Sequence, residues 1–182
     1  MSDRDVQNHL SEKEGTERMK YTQGTQGRIF VIRLEHGEVL HESIEHFATD
    51  HKVSHAVVWA LGGSDKGSRL VVGPEDGAAL PVIPMELTLD ETHEMLGVGT
   101  IFPDHDGKPS LHMHSAHGRK DSTKTGCVRN GVKTWRVMEV VVLEIVGAHG
   151  KRERDKATGF ELLNPRRPTM TDLTRKIDQS CR

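Results

Sequence analysis

Short apolar runs rich in β-branched residues, each stopped by glycine or by a polar turn, recur along this chain and commit it to a sheet. Arg28–Leu34 is one such run and stops before Gly37. Ala56–Leu61 is a second, ended by Gly62-Gly63. Arg69–Val72, Leu80–Leu89, His93–Phe102, Ser110–Gly118, Thr125–Arg129 and Trp135–Val146 complete the set. Only one segment has a helical period. Between Val39 and Asp50, Leu40, Ile44, Phe47 and Ala48 are spaced so as to share one face. One helix among strands joined by tight turns predicts a single α+β domain, with a largely antiparallel sheet flanked by a few helices.

The 182 residues are enough to bury a core without disulfide staples. Only Cys127 and Cys181 are present, too few for a disulfide framework. The polar segment 1–24 is expected to be a flexible leader, with no apolar stretch of the kind a secretory signal requires. A domain over 25–164 and a basic tail over 165–182 follow. With no run of membrane-spanning length, a cytoplasmic, reduced protein is expected. The formal charge of −2 gives no general attraction to nucleic acid, so any DNA contact would need a local basic patch. Residues 147–182 carry nine Lys or Arg against five acidic residues, and a solvated mixed-charge surface is the plainer reading.

Twelve histidines stand out, and the densest chemistry is Leu111-His112-Met113-His114-Ser115-Ala116-His117. Alternate residues of a strand share a face, so His112 and His114 point one way while Leu111 and Met113 point to the apolar side. Two imidazoles about 7 Å apart along a pleated strand can converge on one ion. Cys127, after a polar turn, would lie on the adjacent strand, where Gly126 relieves crowding. Two histidines and a thiolate would leave a fourth position open for water or an anion. His117 is the rival third ligand, although alternation turns it to the other face unless a bulge intervenes. Without a metal, His112 and His114 are surface residues and Cys127 a small core residue.

Gly27–Leu34, the helix, Leu111-His112-Met113-His114 and Thr125-Gly126-Cys127-Val128 together resemble the PPC (plants and prokaryotes conserved, DUF296) domain, and its prokaryotic members in particular, over about residues 26–147. The resemblance implies a compact α+β subunit assembled as a homotrimer, with members assigned to DNA binding and some holding metal at the histidine strand. It places Cys127 where the family commonly has a third histidine, which keeps a competent ligand and favours Zn²⁺. Plant relatives add an AT-hook. Here Pro165-Arg166-Arg167-Pro168 lacks the glycine of that element.

Three functions follow from these residues. The first is a metal-binding homotrimer acting as a DNA-associated or regulatory module. The second is an enzyme whose ion activates water for a small substrate, with Glu139 or His93 as acid–base group and Arg119 and Lys120 drawing an anion to the metal. The third is a trimer whose ion stiffens a subunit boundary.

Overall fold

The structure, a computed structural model, describes residues 19–167. Most of the leader segment, the end of the basic tail and Cys181 lie outside the described residues. Ten strands are present among those described: β1 (Thr25–Glu35), β2 (Ala56–Ser64), β3 (Arg69–Pro74), β4 (Pro84–Thr88), β5 (His93–Pro103), β6 (Pro109–Arg119), β7 (Ser122–Cys127), β8 (Thr134–Val146), β9 (Gly150–Arg154) and β10 (Glu161–Pro165). The expectation of a few helices reduces to one α-helix, α1 (Leu40–Asp50), and a 3₁₀ turn at Val128–Asn130. Eight strands form one sheet in the order β1-β8-β2-β5-β6-β7-β3-β4, with antiparallel pairing throughout. β9 and β10 form a separate two-stranded sheet. No helix among the described residues is long and apolar enough to cross a membrane.

The sheet has one closed face and one open face. Leu40, Ile44 and Ala48 of α1 are buried, four residues apart as their spacing requires. They join Val58 and Ala60 of β2, Met95 and Ile101 of β5, Leu111 and Met113 of β6, and Met138, Val140 and Val142 of β8 in one core. The alternate residues of the same strands face outward. Val31, Trp59, Leu61, Leu96 and Val98 are all exposed there, Val31 at 78% and Leu96 at 65%. That is a contiguous apolar surface, because Trp59 stands opposite both Val98 and Val141.

Three boundaries differ from the sequence reading. β2 runs through Gly62-Gly63 to Ser64, because a register shift there lets the strand continue as a bulge. A Cβ at Gly62 would meet the Val137 carbonyl oxygen at 2.5 Å, and its φ of +144° suits glycine. The run Leu80–Leu89 shortens to Pro84–Thr88, since Pro81 and Pro84 have no N–H to give a ladder. Residues 150–165, read as mixed surface leading into a tail, instead form the β9–β10 hairpin.

Candidate metal centre

The pleat of β6 sorts its side chains as alternation requires. Leu111, Met113, Ser115 and His117 are buried in the core, whereas His112 is half-buried and His114 exposed on the open face. A hairpin with Lys120 at φ +54° returns the chain as β7, pairing Arg119 with Ser122 and, at the far end, His114 with Cys127. Directly paired residues share a face, so Cys127 joins the histidine side. Gly126 makes this possible: a Cβ there would lie 2.7 Å from the Val71 carbonyl oxygen and 3.0 Å from Leu70 Cβ. Without a side chain at 126, β3 closes against β7 and pairs Val71 with Cys127.

The two imidazoles meet edge to face, with centroids 5.0 Å apart, and their Nε2 atoms are 3.2 Å apart. Together with Cys127 Sγ, these ligand atoms all lie within 4.8 Å of one another. Two tetrahedral ligands on bonds of about 2.05 Å sit about 3.3 Å apart, so the histidine pair already has the separation a metal requires. Both imidazoles are held below the usual histidine range. For His112 the cause is burial, then the positive charges of Arg152 and Arg129. For His114 it is burial, then His112 and Arg129. Neutral imidazole is the ligating form, so these shifts lessen competition from protons. The donor set fits a zinc ion.

Arg129, Arg152 and Glu45 complete the surroundings. Arg129 donates Nε–H to Cys127 Sγ at 3.2 Å. Arg152, only 3% exposed, donates Nη2 to the Thr100 carbonyl at 3.0 Å and to Thr100 Oγ1 at 3.1 Å, and Nε to the Ser110 carbonyl at 3.5 Å. Thr100 is the cross-strand partner of His112, so this guanidinium lies alongside the histidine. Glu45 of α1 accepts the Leu111 N–H at 2.8 Å, where β6 extends beyond the end of β7. The sequence reading assigned none of the three a role. Arg129 is two residues beyond Cys127 and was within reach of it, but Arg152 is concealed in a run of mixed charge.

The other candidates sit elsewhere. His117 is fully buried on the core side, with Nδ1 2.8 Å from Ser64 Oγ and Nε2 2.7 Å from Ser115 Oγ. Both ring nitrogens are thus engaged away from the histidine pair. Burial, with a contribution from His93, holds its pKa down at about 4. His93 is itself buried, with Nδ1 2.7 Å from the Glu91 carbonyl oxygen. Glu139 is on the open face, but β8 is three strands from β6, roughly 14 Å away. Arg119 lies five residues along β6 from His114, roughly 16 Å, and donates to the Thr92 carbonyl at 2.9 Å. Lys120 follows it in the turn. A further group, Asp104, His105 and Asp106, occupies an exposed turn in which Asp104 Oδ1 accepts the N–H groups of Asp106 and Lys108.

Two hollows adjoin the centre. An apolar one of about 280 Å³ is rimmed by His114 together with Trp59, Leu96, Val98 and Thr125. A polar cleft of about 670 Å³ includes Arg129 with His41, Arg69 and Lys133, faced by Glu42 and Glu86.

The fold has relatives among solved structures. A metal-containing protein of Archaeoglobus fulgidus is 24% identical, with a TM-score of 0.70 over 80% of this chain and 99% of that one. A plant- and prokaryote-conserved protein of Pyrococcus horikoshii is 22% identical, with a TM-score of 0.65 over 79% and 99%. A third, from Ralstonia eutropha, whose name gives DNA binding as a provisional function, is 20% identical, with a TM-score of 0.58 over 79% and 94%. No protein of curated function matches the chain. The family model of the Plants and Prokaryotes Conserved (PCC) domain matches residues 21–146, which cover the sheet from β1 to the end of β8, and the chain belongs to that family.

Proposed function

We propose that the protein is a metal-binding homotrimer of the PPC type, in which His112, His114 and Cys127 hold a zinc ion with one coordination position left for a ligand. The observation that carries this reading is the pair of Nε2 atoms 3.2 Å apart on the strand directly opposite Cys127. Two imidazoles and one thiolate are a donor set that suits zinc. A relative of the same fold is named for its metal. Arg129, beside Cys127, also lines a polar cleft, which leaves the ion approachable from that side.

The open face supports the trimer. A contiguous apolar surface containing Val31, Leu61, Leu96 and Val98 is of the kind that marks a protein interface. Three-fold closure is what the family resemblance implies, and it would bring the metal centre close to a subunit boundary.

A DNA-associated role is the second reading, favoured by the name of the Ralstonia relative. The basic run of this chain supports it weakly, since Arg152 is buried and Lys151 pairs with Glu153 at 3.5 Å. An ion with an open position also suits water activation, but neither His93 nor Glu139 is placed to serve it.

Zinc titration against a chromophoric chelator, with the mass in solution measured on the same sample, tests the proposal. About one tight site per chain and a three-chain mass are expected. Absence of a tight site refutes the metal centre, and a monomer refutes the assembly. A DNA mobility shift that fades with salt would favour the second reading.

A further inference from the structure

The charges around the metal centre do not balance. Neutral imidazoles and one thiolate leave a divalent ion with a single positive charge in excess, and Arg129 and Arg152 add two more. Arg129 and Cys127 are both within electrostatic reach of Arg152, and the carboxylate that reaches it is Glu45. The loaded centre therefore carries about two uncompensated positive charges in a partly desolvated place. Water at the open position would leave that excess in place, whereas an anion would remove it.

The two arginines are held differently. Arg152 is buried and fixed by its bonds to Thr100 and Ser110, one strand over from His112. Arg129 is exposed and anchored through Nε to the ligating sulfur, and its guanidinium also lines the cleft that holds Arg69 and Lys133. A group on the metal would thus meet a buried charge beside His112 and an exposed one beside Cys127. Guanidinium forks match carboxylate and phosphate oxygens, and zinc accepts the same oxygens.

We propose that the open metal position takes the carboxylate or phosphate group of a small soluble anion, with Arg129 closing on it and Arg152 supplying fixed positive charge. This rests on the metal reading above. The body of the ligand extends past Arg129 into the polar cleft, where Arg69 and Lys133 stand against Glu42 and Glu86 and polar groups of either sign find a partner.

Cobalt-loaded full-length protein provides the test, because its visible spectrum reports a change of ligand at the metal. Inorganic phosphate, acetate and imidazole are titrated separately into the wild type and into Arg129→Gln. At least one oxyanion is expected to shift the wild-type spectrum, and the tighter of the two identifies phosphate or carboxylate as the chemistry. Arg129→Gln should weaken that oxyanion about tenfold more than it weakens imidazole, since both ligands feel the lost Nε–Sγ hydrogen bond but only the oxyanion uses the guanidinium charge. A spectrum moved by imidazole and by neither oxyanion overturns the inference, as does an oxyanion affinity that Arg129→Gln weakens no more than it weakens imidazole. Insensitivity to all three ligands means a closed fourth position and overturns the inference while the metal reading stands. Failure to load cobalt or zinc removes the metal reading itself.

Discussion

His114 and Cys127 face each other directly across the β6–β7 ladder, so the exposed imidazole and the buried thiol lie on one side of the sheet. That register depends on the hairpin turn and on the approach of β3 to β7 over Gly126. Cys127 is the last residue of β7 and pairs with Val71 on its other side. The thiol is thus clamped between two strands rather than carried on a loop.

Gly126→Ala is therefore expected to act at a distance from its own atoms. Its Cβ would strike the Val71 carbonyl and Leu70, and β3 must withdraw to make room. A cost of about 1–3 kcal/mol, typical of overpacking, should appear in urea unfolding. Zinc affinity, measured by chelator competition, should fall as well, because the clamp on Cys127 loosens.

Arg152→Met tests the buried guanidinium. The substitution fills similar space but leaves the Thr100 and Ser110 carbonyls without their donor. Loss of charged hydrogen bonds of this kind costs about 2–4 kcal/mol, and urea unfolding of the metal-free protein should show it. Arg154→Met on the same hairpin is the control, and little change is expected from it.

His117 sets an acid limit on stability. Its pKa is held down at about 4 in the folded protein, against about 6.5 in the unfolded chain. Between these values the unfolded chain binds the proton and the folded one does not, so stability falls as pH drops from 6.5 toward 4. The loss due to this group is about 2–3 kcal/mol. Unfolding midpoints measured across that range should slope less steeply in His117→Gln, which lacks the titrating ring.

The open face should govern assembly. Val31→Glu combined with Leu96→Glu places charge on two of its most exposed apolar residues, and both are outside the core. Sedimentation velocity should show a monomer for the double variant and a three-chain species for the wild type, with the circular dichroism of the fold retained. A trimer that survives both charges would place the interface elsewhere.

The sequence was most legible where a period of two met a change of chemistry. In Leu111–His117 the alternation alone separated His112 and His114 from the core side, and it turned His117 inward, where two serines hold it. Glu139 shows the limit of the same reasoning. It shares a stripe with Val137, Val141 and Leu143, and in the single chain that stripe is the outward one, with Glu139 exposed. Alternation reveals that two faces differ, not which one the helix covers. Arg152 was invisible for another reason. Burial of one arginine from a charged run depends on where the β9–β10 hairpin docks, a long-range event with no local period. The resemblance carried the rest, since it placed Cys127 at the family's third-histidine position, which alternation and spacing do not reach.

The most direct test of the metal centre is elemental analysis of untagged protein as purified, alongside His112→Ala and Cys127→Ala variants shown to be folded by circular dichroism. About one zinc per chain in the wild type, and almost none in either variant, is the predicted result. Wild-type protein that arrives without metal and takes up none on addition would contradict the account, leaving His112 and His114 as surface residues and Cys127 as a small side chain of the sheet.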